Sequence, residues 1–212
     1  MNIEYRNITK KDYKEIKRLI KSAWFKDDYI PGEKHSFNVY SKGYLYMHLS
    51  ESSYRIAAYD KDKLVGFLFG RAENEKRKSY LINRILLFFT GVQMLFTKIG
   101  RRGLKVHKIE NRIDKKLRKE YDKEDNELCL FIVDEAYRKL GLGSKLEELF
   151  CDHLRKLNKH ELYLYTDTYS NYHYYEKRGY TRYKTINSEF DIDSDNEGEK
   201  AKYFIYIKEL QN

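Results

Sequence analysis

The chain is poor in proline and cysteine. One Pro and 11 Gly in 212 residues exclude collagen-like and proline-rich low-complexity chains. The two cysteines, Cys129 and Cys151, are too few for a disulfide framework or a cysteine-rich zinc site, so we expect a reducing compartment and a cytoplasmic protein. The six histidines show no metal-ligand spacing with supporting carboxylates. We therefore expect no bound metal.

The chain also lacks an apolar run of membrane-spanning length. The most apolar stretch, residues 85–96, is interrupted by Thr90, Gly91 and Gln93, and a span needs about 20 apolar residues. The start of the chain has no apolar signal core, so we expect no secretion signal. The run therefore predicts a buried or interfacial helix, and we expect no membrane partner.

Aromatic residues and charge are abundant instead. Aromatics make up 16% of the chain, including 21 Tyr, and supply core material that a disordered chain lacks. The formal net charge is +9, and the mean hydropathy is −0.83. The length favours one domain, residues 1–212. We expect an ordered globular protein.

Helix and strand patterns alternate along the chain. The predicted order is β-α-(α)-β-β, an insertion, and β-α-β-α-β-β, which is typical of an α/β fold with a mixed sheet. Residues 26–43 have the pattern of a loop, and the last two strands are expected to pair across an acidic segment, 189–199. The predicted strands are 2–7, 54–59, 64–70, 127–133, 162–166, 180–186 and 203–207, and the predicted helices are 10–24, 44–50, 143–157 and 171–177.

The insertion, residues 71–126, has two parts. Residues 79–99 form an apolar helix candidate, whereas residues 98–119 contain ten Lys or Arg against two acids, Glu110 and Asp114. Three interpretations of the basic part remain open: a solvated helix face, a lid over an anionic ligand, or a nucleic-acid surface. No recognition motif accompanies the charge, so nucleic acid is the least favoured partner.

A phosphate-binding loop is indicated after the fourth strand. An apolar strand runs into a segment with Gly141 and Gly143, and a helix follows at once. Glycines let backbone N–H groups face a ligand, and a helix N-terminus adds unpaired donors and about half a positive charge. This arrangement suits a pyrophosphate. It is neither a Walker loop nor a GxGxxG fingerprint.

Two motifs resemble those of one family. Residues 138–143, RKLGLG, match the (Q/R)xxGx(G/A) signature of the GCN5-related N-acetyltransferases, the GNAT superfamily, and residues 133–137, VDEAY, resemble its lead-in. Residues 171–180, NYHYYEKRGY, resemble the family ending N-x-x-A-x-x-x-Y-E-K-x-G-F in compressed form. The chain departs from the pattern at Glu135, where Pro is usual, and at Lys139, where Gly is frequent.

The resemblance implies a mixed central sheet flanked by helices and splayed between strands 4 and 5, with the basic helical insertion between strands 3 and 4. It also implies that acetyl-CoA lies in the gap, with its pantetheine on the fourth strand and its pyrophosphate on the loop. The positions carried over for the coenzyme are Phe131, Ile132, Val133, Arg138, Lys139, Leu140, Gly141, Leu142, Gly143, Ser144 and Asn171.

The resemblance implies an acid and a base. Tyr175 takes the position of the family tyrosine that often protonates the leaving thiolate; the alternatives are a packing role for Tyr175 and a register shifted to Tyr174. Glu127 takes the position of the general base in histone-type members, and strand parity places its side chain on the face of Phe131. The alternatives are an exposed strand-entry Glu and a water chain. Asn171 either contacts the coenzyme or caps a helix.

The resemblance implies an acetyl-CoA-dependent N-acetyltransferase acting on a primary amine of a small molecule or peptide. The alternatives are a non-catalytic acyl-CoA-binding regulator and a basic nucleic-acid-binding protein. The acceptor cleft is expected in residues 24–50 and 71–126, and the basic insertion suits an acceptor that is also anionic. Asp167 either binds a cationic amine or forms a turn. The aromatic residues expected to line the cleft are Trp24, Phe25, Tyr29, Phe37, Tyr40 and Tyr44.

Overall fold

A computed structural model shows one mixed sheet of seven strands with helices on both faces. It describes residues 2–24, 33–77, 79–119, 121, 124–187 and 202–211, without the side chains of Trp24 and Leu117. The predicted loop aromatics Phe25 and Tyr29 and the acidic segment 189–199 lie outside the described residues. The strand order is β1-β2-β3-β4-β5-β7-β6. Every neighbouring pair is antiparallel except β4 and β5.

The elements follow the order predicted from the sequence. The strands are β1 (Ile3–Asn7), β2 (Tyr54–Asp60), β3 (Lys63–Arg71), β4 (Glu127–Val133), β5 (Glu161–Asp167), β6 (Thr181–Asn187) and β7 (Lys202–Glu209). The helices are α1 (Tyr13–Trp24), α2 (Lys34–Glu51), α3 (Tyr80–Leu95), α4 (Lys98–Lys119), α5 (Leu142–Lys156) and α6 (His173–Lys177). Short 3-10 turns at Lys10–Asp12 and Glu135–Tyr137 precede α1 and α5.

Helix α2 is longer than predicted, because it begins at Lys34, inside the segment that we expected to be a loop. Gly43 weakened the helical pattern in the sequence, but it has a packing role. A Cβ atom at Gly43 would lie 2.9 Å from Met94 Sδ on α3. The glycine therefore permits the close contact between α2 and α3.

Alternate residues of the central strands enter two separate cores. Ala58 and Leu68 belong to the core that α5 covers, whereas Ala57 and Phe67 belong to the core under α1 and α2. The alternation follows from the two-residue period of a strand. Helix α5 therefore covers one face of the sheet, and α1 and α2 cover the other.

The insertion forms two helices, α3 and α4, on the side of α2. Asn83 of α3 donates a hydrogen bond to the carbonyl of Leu49 on α2, and Ile113 of α4 packs with Tyr163 and Ile205 of β5 and β7. Among the described helices, none alone has the length and apolarity of a membrane span. Helices α3 and α4 together have that length and apolarity, but the chain bends by 119° between the two helices.

Candidate active site

Strands β4 and β5 separate almost as soon as they meet. Within the described residues, β4 and β5 share a single paired position, Glu127 with Tyr163. Phe69 of β3 faces Leu130 while Gly70 faces Leu128, so Cys129 is an extra residue in β4. Such a bulge bends its strand. The bend comes directly after the one shared pair and accounts for the gap that the family resemblance implies between the two strands.

One edge of β4 faces this gap. The backbone of Phe131, Ile132 and Val133 pairs with β3, and within the described residues it does not pair with β5. Unpaired strand groups at a sheet edge are ready to bond another extended chain. This edge is where the resemblance places the pantetheine arm.

The loop after β4 presents a row of unpaired amides. The first bond of α5 runs from the Lys145 N–H to the Gly141 carbonyl, 3.0 Å, and no backbone bond from the amides of residues 139–144 is found within the described chain. Gly141 adopts φ +81° and Lys139 φ +65°. Both values lie in the left-handed region that favours glycine. Lys139 adopts it at the position where the family often has Gly.

Gly143 of this loop packs closely against neighbouring side chains. A Cβ atom at Gly143 would lie 3.0 Å from Phe131 Cζ and 3.5 Å from the Tyr174 hydroxyl oxygen, whereas one at Gly141 would meet nothing within 4 Å. Because Gly143 has no side chain, its backbone can lie close to the Phe131 ring. Because Gly141 has none either, the space next to the loop stays open. A row of unpaired amides with open space beside it suits a pyrophosphate.

Arg138 is less available than the other loop residues. Its N–H already donates to the Glu135 carbonyl at 3.2 Å, and its Nε donates to the Val133 carbonyl at 3.4 Å. The amides that remain for an anion are those from Lys139 onwards. The Ser144 amide lies in the first turn of α5, where the partial positive charge of the helix is greatest.

Tyr175 of α6 packs on the core that α5 covers. Its ring is half-buried and packs against Tyr180 and Tyr206, with centroids 5.5 and 6.2 Å away. Its hydroxyl makes no hydrogen bond within the described residues. Burial raises the pKa of Tyr175 above its ordinary value, and the charges of Glu147 and Asp167 raise it further. Tyr175 therefore stays protonated and able to donate.

Tyr174 has a different environment. Its hydroxyl donates to Glu147 Oε2 at 3.0 Å, and its ring lies 5.7 Å from that of Phe131. Glu147 is fully buried and also receives Arg178 Nε at 3.0 Å and Lys208 Nζ at 2.6 Å. A buried carboxylate requires such partners. Tyr174 is thus part of a structural network, which leaves Tyr175 as the available hydroxyl.

Glu127 does not share a face with Phe131, contrary to the parity argument. The extra residue at Cys129 reverses the alternation, so Phe131 packs on the core under α5 while Glu127 meets Arg71 at the other face. Glu127 Oε2 accepts from Arg71 Nη2 at 2.5 Å and from the Tyr163 hydroxyl at 3.2 Å. Burial raises the pKa of Glu127, although Arg71 opposes the rise.

Further carboxylates surround Glu127. Burial raises the pKa of Glu51 on α2 and of Glu110 on α4 to about 7, and that of Asp114 on α4 to about 8. The charge of Glu127 contributes to the shifts of both Glu51 and Asp114. His48 of α2 is buried nearby, and burial lowers its pKa to about 3, so it stays neutral. These half-buried carboxylates form an acidic cluster: Glu51, Glu110, Asp114 and Glu127.

Two of the predicted aromatics adjoin this acidic cluster. The rings of Tyr40 and Tyr44 stack with centroids 5.9 Å apart, and Tyr44 meets His48 at 4.6 Å. The charge of Glu110 raises the pKa of both tyrosines, after burial. Phe37, which also belongs to α2, is buried. The surroundings of the acidic cluster are therefore aromatic.

Two other candidates have local roles. Asp167 Oδ1 accepts the amides of Tyr169 at 2.9 Å and Ser170 at 2.8 Å, which confirms the turn. The carbonyl of Asn171 accepts the Tyr174 amide, but its side chain is exposed and does not cap α6. The coenzyme contact of Asn171 stays a prediction.

The sequence did not single out the partners of Glu127. Arg71, Asp125 and Tyr163 come from distant parts of the chain, and no motif joins them. Glu110 and Asp114 did carry a signal, because the only two acids of the basic segment are four residues apart and so share one helix face. Within the described residues, no group of three or more His, Cys, Asp or Glu is arranged to hold a metal ion.

Solved structures of acetyltransferases have the same fold. The chain aligns over its full length with the ribosomal-protein-S18-alanine N-acetyltransferase from Escherichia coli (12% identity, 96% of that chain, TM-score 0.56). It aligns likewise with all of an N-acetyltransferase from Staphylococcus aureus Mu50 (11%, TM-score 0.55) and all of a chain in the NatC complex bound to Gag peptide and CoA (15%, TM-score 0.52). At these identities the likeness concerns the fold.

Sequence comparison assigns the family. No curated protein sequence matches the chain. A sequence profile described as the acetyltransferase (GNAT) family matches residues 14–180, which include the β4–β5 gap, the loop before α5 and Tyr175. The chain belongs to the GNAT family of acetyltransferases.

Proposed function

We propose that the protein transfers the acetyl group of acetyl-CoA to a primary amine of a small molecule or peptide. The observation that carries this proposal is the β4–β5 gap, which opens beside the unpaired amides at the N-terminus of α5. The bound CoA in the NatC neighbour, which has the same fold, supports the choice of donor.

In this proposal the coenzyme lies on the α5 side of the gap. The amides of residues 139–144 hold the pyrophosphate, and the free edge of residues 131–133 pairs with the pantetheine. The thioester then points through the gap toward the face that carries Glu127. Donor and acceptor reach each other from opposite faces of the sheet.

The acceptor nitrogen attacks the thioester carbonyl carbon, the C–S bond breaks, and the amide C–N bond forms. A primary amine has a pKa of about 10.4 and must lose a proton before it attacks. Glu127, directly or through a water, takes that proton, because its raised pKa brings it closer to neutral pH. The Tyr175 hydroxyl gives a proton to the leaving thiolate.

The acidic cluster favours a cationic acceptor. Glu110 and Asp114, the only acids of α4, are half-buried and belong to the acidic cluster, whereas most of the cations of α4 are exposed to solvent. Burial keeps these two acids partly protonated near neutral pH, and a bound cationic amine favours their ionised form. We accordingly propose an acceptor with a further positive charge, such as a diamine, instead of the anionic acceptor suggested by the sequence.

Calorimetric titration with acetyl-CoA and then CoA tests the donor site. We expect binding by the wild type and its loss in Gly141→Glu, since that side chain fills the open space above the loop. Gly179→Glu is the matched control, because Gly179 has φ +79° and open space around its Cβ position as well. A wild-type protein that binds neither ligand would overturn the proposal.

Release of the CoA thiol with a panel of amines tests the acceptor. We expect diamines to react faster than monoamines of the same length, and amino acids with a free carboxylate to react slowest. A preference for carboxylate-bearing amines would overturn the cationic acceptor while leaving the transfer reaction intact.

A further inference from the structure

Helix α3 buries polar residues and exposes large apolar ones. Its buried residues include Asn83 and Thr90, whose side chains bond the carbonyls of Leu49 and Leu86. Its outward face is apolar. The exposed large side chains of α3 and the residue after it are Tyr80, Leu81, Ile82, Ile85, Leu86, Phe88, Phe89, Val92, Leu95 and Phe96.

The exposure is large for individual side chains. Leu81 is 74% exposed, Phe88 67%, Phe89 60% and Phe96 81%. Phe88 and Phe89 have a ring contact only with each other among the described residues. Contiguous apolar patches of this kind mark binding surfaces, since water-exposed helices normally turn such residues inward. The exposed apolar face of α3 is therefore free to contact an apolar partner.

Cations border this apolar face. Arg84 on α3 is exposed, and so are the cations in the first half of α4: Lys98, Arg101, Arg102, Lys105 and Lys108. The two acids of α4 are turned inward. The outer surface of helices α3 and α4 therefore combines bulky apolar side chains with positive charge, and none of the described acids of these two helices is exposed.

We propose that the outward face of α3, with the exposed cations around it, docks on an anionic lipid bilayer. An apolar helix face bordered by Lys and Arg is the pattern of a helix that lies in the membrane interface. At 16 residues, α3 is about 24 Å long and lies along the surface instead of crossing it. The length of the apolar run led us to expect no membrane partner, but length excludes only a span.

A second copy of the chain fits this face less well. Two insertions packed together would bring the same cations face to face without a compensating acid, and the chain as a whole carries a net charge of +9. Like charges disfavour such contacts. An anionic lipid surface satisfies the apolar and the charged parts of the face at once.

Vesicle sedimentation tests the proposal with the full chain. We expect the wild type to sediment with vesicles of phosphatidylcholine and about 30% phosphatidylglycerol, and to be released when about 1 M salt shortens the screening length to about 3 Å. Phe88→Glu/Phe89→Glu should lower the bound fraction by about tenfold or more, because it puts charge on the inserted face. Lys98→Glu/Lys105→Glu should weaken binding to these vesicles as well.

Lys10→Glu/Lys11→Glu is the matched control, since it changes the net charge equally at the exposed start of the chain, before α1. Hydrogen exchange on the wild type provides a readout independent of variant folding: vesicles should protect residues 80–96. The proposal fails if the wild type stays in the supernatant, if Phe88→Glu/Phe89→Glu binds as well as the wild type, or if that variant instead converts a wild-type dimer into a monomer.

Discussion

Arg71 Nη2 lies 2.5 Å from Glu127 Oε2 and 2.7 Å from Asp125 Oδ1, so one guanidinium holds two carboxylates where β4 begins. The Tyr163 hydroxyl donates to Asp125 at 2.7 Å and also reaches Glu127. Burial opposes the ionisation of both acids. The pKa of Glu127 is raised, whereas hydrogen bonds from Tyr163 and Arg71 leave that of Asp125 lowered. Glu127 therefore takes up a proton more readily than Asp125 does.

Replacement of Glu127 tests this difference. We expect Glu127→Gln to lower kcat/KM by about 10²- to 10⁴-fold, because general-base catalysis contributes about that much. A base works only when deprotonated, so the wild-type rate should fall as pH drops through the raised pKa of Glu127, and the variant should lose this acid limb. The pH profile of kcat/KM is the measurement.

Asp125→Asn is the control, since it removes a charge from the same guanidinium. It should reduce activity only slightly and keep the acid limb. If both variants lose activity equally with unchanged profiles, Glu127 has a structural role and the amine is deprotonated elsewhere.

The geometry of the loop was predictable because it depends on local sequence. Gly141 and Gly143 follow closely after β4 and lie at the start of α5, and the structure has this strand, turn and helix in the predicted order. The face of Glu127 was not predictable, because one extra residue at Cys129 reverses the parity of β4 and leaves no mark in the sequence. The inward turn of Glu110 and Asp114 depends on the packing of α4 against distant strands.

The two neighbouring tyrosines should separate catalysis from stability. Tyr175→Phe should lower kcat with little effect on acetyl-CoA affinity or melting temperature, since its hydroxyl has no partner within the described residues. Tyr174→Phe should lower stability by about 1 kcal/mol, because it removes a hydrogen bond to the buried Glu147. Rates and melting curves of both variants are the measurements. The reverse pattern would assign the acid to Tyr174.

The effect of a substitution at Gly70 on the stability of the fold should depend on the side chain at position 150. A Cβ atom at Gly70 would lie 2.4 Å from the Phe150 ring, which is fully buried against β3. Gly70→Ala should therefore destabilise the fold by about 1–3 kcal/mol through overpacking. In Phe150→Leu the same substitution should cost less, so the two changes should be non-additive in a denaturant cycle. Additive effects would show that the backbone of β3 moves instead of the ring.

Asp114 should make the folded state less stable as pH rises. Its pKa is about 8 in the folded protein and about 3.9 in an unfolded chain. Between these values the folded state binds more protons, so the free energy of unfolding falls with increasing pH. Asp114→Asn removes this dependence. We expect Asp114→Asn to raise the melting temperature above that of the wild type by much more at pH 9 than at pH 5.

Lys115→Gln is the control for this comparison, because it removes a charge from an exposed position on the same helix. In the proposed function Asp114 helps to hold the acceptor, so its charge serves binding at the expense of stability. Asp114→Asn should therefore also raise KM for a diamine while leaving the affinity for acetyl-CoA unchanged. A stability difference that is equal at pH 5 and pH 9 would show that Asp114 ionises normally, and the acidic cluster would lose its proposed role in holding the acceptor.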